Sequence, residues 1–190
     1  MSRKFVVSSA QMGPVFIQDT RIQCVKRMME MMREAKAKGS RFVVYPELAL
    51  TTFFPRWFIE NPNELDKWFE TEMPSKITYP LFELAKNLEI GFYLGYAEKT
   101  NDNGKVKYYN TSILVNKSGE ISGKYRKIHL PGHEKPQYNR KNQHLEKMYF
   151  EKGNLGFPVY QMLNTKIGML ICNDRRWTEA WRILALKGTE

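Results

Sequence analysis

Phe42-Val43-Val44-Tyr45-Pro46-Glu47 is the stretch that decides the fold, because of what precedes it. Lys4 to Gln11 alternates apolar and small residues as a strand does, and Met12-Gly13-Pro14 ends it. Thr20-Arg21-Ile22-Gln23 then has the spacing of a capping box. From there Ile22, Val25, Met28, Met29, Met32 and Ala35 recur at helical spacing until Gly39. Strand, helix and strand in this order make a βαβ unit, whose connection is long enough to lay residues 42–45 parallel to the first strand.

Working outward, Asn63 to Phe69 and Pro80 to Asn87 read as helices, the second with proline at its start, and Gly91 to Glu98 returns to strand. The turn clusters Asn101-Asp102-Asn103-Gly104 and Asn116-Lys117-Ser118-Gly119 flank Tyr108 to Val115, which predicts three strands paired antiparallel. Pro131 to Gln143 is polar, charged and carries two prolines, as a loop over a site would. Thr165 to Ile171 reads as a strand and Thr178 to Leu186 as a helix. The expected class is α/β, with helices on the face of a mixed sheet.

The 190 residues show no linker, repeat or low-complexity block, so one domain spanning 1–190 is expected. No apolar run is long enough to span a bilayer, and Met1-Ser2-Arg3-Lys4 leads into a strand-like segment rather than a signal-peptide core. Two cysteines, Cys24 and Cys172, are too few for a disulfide framework. A cytoplasmic protein is expected. The net charge of +10 is spread along the chain, which fits attraction of an anionic small molecule better than a nucleic-acid-binding stripe.

Three segments end on reactive side chains. Ile167-Gly168-Met169-Leu170-Ile171-Cys172-Asn173-Asp174-Arg175-Arg176-Trp177 is an apolar strand that stops at a thiol and hands over to a polar turn. Arg41 to Glu47 ends on a carboxylate, and Gly123-Lys124-Tyr125-Arg126-Lys127-Ile128-His129 brings out an amine. In open α/β sheets, side chains at the carboxyl ends of strands point into a crevice. Each residue also has an ordinary reading: Cys172 as a buried small hydrophobe, Glu47 as an exposed carboxylate, the lysine run as a solvated basic face. Strand alternation would put Tyr125 and Lys127 on one face and Lys124 and Arg126 on the other, so that one lysine points inward alone.

Taken together and in this order, Pro46-Glu47, Lys124-Tyr125-Arg126-Lys127-Ile128-His129-Leu130 and Cys172-Asn173-Asp174-Arg175-Arg176-Trp177 resemble the Glu, Lys and Cys motifs of the nitrilase superfamily of carbon-nitrogen hydrolases. Within it, Pro46 to Trp57, His144-Leu145-Glu146-Lys147 and the double arginine resemble the N-carbamoyl-D-amino-acid hydrolases. The resemblance implies an α-β-β-α sandwich, of which residues 1–190 would be the N-terminal portion, inactive and poorly soluble alone. It implies catalytic Glu47, Lys127 and Cys172, with Glu146, His129 and His144 in support. The implied substrate is a small N-carbamoyl-D-amino acid, cleaved with no metal or organic cofactor, by a protein that is a homo-oligomer when full length and binds no membrane or nucleic acid. Amidohydrolases of β-ureido acids or carbamoyl amines, and nitrilases, would share the same three residues.

The remaining residues stay open between two readings. His129, His133 and His144 suggest zinc, but Pro131 and Gly132 spoil a helical His-x3-His and no cysteine lies near, so orienting roles for His129 and His144 and a loop position for His133 are preferred. Glu146 is either a second site carboxylate holding Lys127 or a partner of Lys147 on a solvated turn. Arg175 and Arg176 suit a substrate carboxylate, or form a plain charged turn. Asn173 offers a backbone N–H beside the thiol as an oxyanion donor.

Overall fold

A computed structural model describes residues 4–190; the reading of Met1-Ser2-Arg3 as the start of something other than a signal peptide lies outside the described residues. Strands β1 (Val7–Ser9), β2 (Phe42–Val44), β3 (Gly91–Asp102), β4 (Lys105–Val115) and β5 (Ile121–Arg126) form a five-stranded sheet in that order. Strands β6 (Val159–Met162) and β7 (Thr165–Gly168) form a separate antiparallel pair. The helices are α1 (Arg21–Ala37), α2 (Pro62–Asp66), α3 (Tyr79–Leu88), α4 (Glu146–Tyr149) and α5 (Thr178–Leu186). The class is α/β, as the alternation of periods predicts.

The chain divides into two compact units, and the first comprises residues up to Thr52, Glu72–Gly95 and Ile113–Lys124. Its βαβ core forms as the sequence requires: β1 and β2 pair in parallel, with Val7 opposite Phe42, and β2 pairs in parallel with β3. The Thr20 hydroxyl accepts from the Gln23 amide while the Gln23 side chain accepts from the Thr20 amide, so the capping box is complete. The buried stripe of α1 is Cys24, Val25, Met28, Met32 and Ala35; Ile22 is exposed, one turn too early to reach the core. Opposite it, α3 buries Leu81, Phe82 and Ala85, and the Phe82 ring meets Phe92 of β3 edge-on at 5.2 Å. The Tyr45 hydroxyl donates to the Met28 carbonyl at 2.6 Å, and burial pushes its phenol far above the usual range.

The second unit comprises Phe53–Thr71, Tyr96–Ser112 and Tyr125–Glu190. Phe54 is fully buried there and gathers Trp68, Phe69, Tyr149 and Phe150 at ring separations of 5.4–6.0 Å. Such aromatic pairs contribute about 1 kcal/mol each beyond area burial.

The two predicted hairpins are present. Asn103 and Gly104 have φ of 52° and 82°, the two-residue geometry that joins antiparallel strands. At the other turn Gly119 donates to Asn116 and Asn116 to Glu120. Three expectations need correction. Residues 4–11 form only a three-residue strand. The helix expected over 63–69 is the shorter α2. The strand expected through Ile171 stops at Gly168, because its partner runs out: Val159 faces Gly168, and the next position is Pro158, which has no N–H to give the ladder.

Candidate active site

Lys127 follows the last residue of β5. Its amide donates to the Asn110 carbonyl at 2.8 Å and its carbonyl accepts from the Gly153 amide at 2.9 Å, so the backbone is held on both sides. Its ammonium donates to Glu146 Oε2 at 2.6 Å, with both side chains completely shielded from solvent. His144 Nε2 lies 3.0 Å from Glu146 Oε1, and the Asn110 side-chain amide donates to Oε2 at 3.3 Å. Glu146 therefore sits in the interior at the start of α4, and the solvated-turn reading does not hold. What presents it is the polar segment after β5, tied down where Gln143 and Leu145 donate to the carbonyls of Arg56 and Pro55.

The alternation expected around Lys127 is only half realised. Tyr125 and Lys127 are buried, but so is Arg126, whose guanidinium makes a two-pronged contact with Glu98 at 2.9 Å per prong and lies 4.0 Å over the Tyr109 ring. Both faces of this strand end are covered, so the inward ammonium is not distinguished by a dry and a wet side. What distinguishes Lys127 is its partner.

Cys172 is exposed and has a φ of 46°, in the left-handed region that costs an L-residue about 1–2 kcal/mol. It opens a 3-10 turn, Cys172–Arg176, four residues beyond the end of β7. Asp174, which the sequence reading passed over, is fully buried beneath that turn. Its Oδ2 accepts from the Ile171 amide at 3.1 Å and the Tyr125 hydroxyl at 2.8 Å. Its Oδ1 accepts from the His129 amide at 2.9 Å and lies 2.8 Å from His129 Nδ1. The Asn173 side chain adds a bond to the His129 carbonyl at 3.0 Å. The His129 ring is stacked between Trp177 at 4.9 Å and Phe157 at 6.1 Å.

The carbon-nitrogen hydrolase family profile matches residues 6–190. The chain belongs to the carbon-nitrogen hydrolase family. The chain is 31% identical over 97% of its length to a nitrilase of Pyrococcus abyssi, and 32% identical over 99% to an N-carbamoylputrescine amidase of Arabidopsis thaliana. It spans 62% and 57% of those relatives' own lengths. In structure it resembles a carbon-nitrogen hydrolase from Helicobacter pylori G27, with a TM-score of 0.73, 28% identity, and coverage of 93% of this chain and 55% of that one. These relatives support the superfamily and do not single out the N-carbamoyl-D-amino-acid hydrolases.

The other residues expected from the sequence lie as follows. Glu47 belongs to the first unit, half-buried after β2, while Lys127, Glu146, Cys172 and both supporting histidines belong to the second. Arg175 and Arg176 are exposed beside the thiol, and the Trp181 indole donates to the Arg175 carbonyl at 2.8 Å. His129 and His144 each face a carboxylate, Asp174 and Glu146 respectively, whereas His133 is exposed on the loop as expected. No described helix is long and apolar enough to cross a membrane.

Proposed function

We propose that the protein hydrolyses the carbamoyl C–N bond of N-carbamoyl amino acids of D configuration, working in the cytoplasm as a homo-oligomer through Glu47, Lys127 and Cys172. The observation that carries this reading is an exposed cysteine at a positive-φ turn, followed by two exposed arginines and preceded in the chain by a fully buried lysine. Glu47 takes the thiol proton and the thiolate attacks the ureido carbonyl. The Lys127 ammonium and the backbone N–H beside Cys172 stabilise the tetrahedral oxyanion, a contribution of about 3 kcal/mol in comparable sites. The oxyanion collapses, the amino-acid nitrogen leaves with the proton Glu47 held, and a carbamoyl thioester remains. Glu47 then deprotonates water, which releases the thiol and a carbamate that decomposes to carbon dioxide and ammonia. No step needs a metal or organic cofactor.

Arg175 and Arg176 support an anionic substrate, since two guanidinium groups would repel an amine and grip a carboxylate. The similarity to N-carbamoylputrescine amidase favours a second reading, a carbamoyl-amine substrate. Ammonia release by the full-length protein from N-carbamoyl-D-amino acids, their L counterparts, N-carbamoylputrescine and a nitrile separates these readings. We expect the carboxylate-bearing D substrates to give the highest kcat/KM, and Arg176→Ala to reduce it for them alone. Preference for the amine, with Arg176→Ala neutral, would overturn the carboxylate reading.

A further inference from the structure

Resting on the reading of Cys172 as nucleophile, we propose that Asp174 is a positioning residue that locks the lysine-bearing segment to the cysteine-bearing turn and so sets where Lys127 stands relative to Cys172. Asp174 grips residues on both sides of Lys127: Tyr125, two before it, and His129, two after it. The same carboxylate holds Ile171, the residue before the nucleophile, which in return accepts from the Asp174 amide at 3.0 Å. One fully buried group is thus bonded to both segments, and Asn173 adds a parallel bond to His129.

The chemistry demands a carboxylate. The Ile171 amide donates to one oxygen and the His129 amide to the other, and neither backbone donor can become an acceptor. An asparagine of equal size would have to aim its NH2 at one of these two N–H groups. It would therefore release either the cysteine turn or the lysine segment while leaving the volume filled.

Thiol reactivity reads this position. The titratable and charged groups nearby in the chain are Lys124, Tyr125, Arg126, Lys127 and His129 on one segment and Asp174, Arg175 and Arg176 on the other, with Glu146 bound to Lys127 and Glu98 to Arg126. Removing a negative charge from this set would by itself favour the Cys172 thiolate. Displacing the Lys127 ammonium would disfavour it, so the two effects have opposite signs.

The test is the pH dependence of Cys172 alkylation by iodoacetamide in the full-length protein. Asp174→Asn is expected to move the midpoint up by about one pH unit, making alkylation below it roughly tenfold slower. An unchanged or lowered midpoint in a folded variant overturns the proposal. Tyr125→Phe removes one hydroxyl donor and keeps both backbone bonds; should Asp174→Asn fail to fold, a smaller upward shift in Tyr125→Phe supports the proposal and no shift overturns it. Turnover that survives Cys172→Ala would mark failure of the nucleophile reading itself, and the inference would fall with it.

Discussion

A lysine ammonium with no access to water is tolerable only beside a counter-charge, and Lys127 has Glu146. Glu146→Gln takes a buried counter-charge away from the ammonium and is expected to cost up to about 3–5 kcal/mol of stability, seen in chemical denaturation. The two cysteines should separate sharply. Burial pushes the Cys24 thiol up, so less of it is thiolate at pH 8, whereas Cys172 is exposed. Iodoacetamide on the folded protein is therefore expected to label Cys172 and spare Cys24, with Cys24 reacting only after denaturation; equal labelling in native buffer would contradict the structure. At this scale the sequence supplied the residue types but not their partners. Glu146 remained ambiguous because its fate depends on a lysine 19 positions earlier, and Asp174 was hidden inside what looked like a charged turn. The only signal for Asp174 was an acidic residue in the first turn after a strand end.

At the scale of elements, two glycines sit where backbone presses on the segments of Glu47 and Lys127. A Cβ at Gly95 would stand 2.8 Å from the Pro46 carbonyl and 2.9 Å from the Glu47 Cα; one at Gly153 would overlap the Arg126 carbonyl and come within 3.0 Å of the Lys127 oxygen. Gly95→Ala and Gly153→Ala are each expected to lose about 1–3 kcal/mol from overpacking. Each should also lose up to about a hundredfold in kcat, as a displacement near 1 Å can cost. Thermal melts and ammonia release check both. Helical and parallel-strand elements were legible because their signals are local: the Thr20–Gln23 box and the proline in the first turn of α3 announce themselves. Strand β7 was expected, but its partner β6 was missed because a four-residue strand after Pro158 carries little periodicity, and the turn between them lies at Leu163-Asn164, with φ of 56° and 58° in residues that only partly advertise it.

On the scale of the whole molecule, the described surface carries many large apolar side chains, and two groups of them bear on association. Trp177, Trp181, Ile183 and Leu186 are exposed on and beside α5, Leu186 to 75%, and Val6 and Val7 are exposed at β1, the last strand of its sheet. Exposed apolar clusters and strand edges favour association, even at a net charge of +10. Residues 1–190 expressed alone are expected to self-associate, and Trp181→Lys with Leu186→Lys to raise the monomer share in light scattering behind size exclusion.

The left-handed backbone at Cys172 sets competence against endurance. Only glycine occupies that conformation without penalty, yet a glycine has no sulfur. Cys172→Gly is thus expected to give a dead protein about 1 kcal/mol more robust to heat than Cys172→Ala, which is equally dead but keeps the conformational penalty. With Cys172 as the proposed nucleophile, the sulfur and the robustness to heat thus pull in opposite directions at a single position.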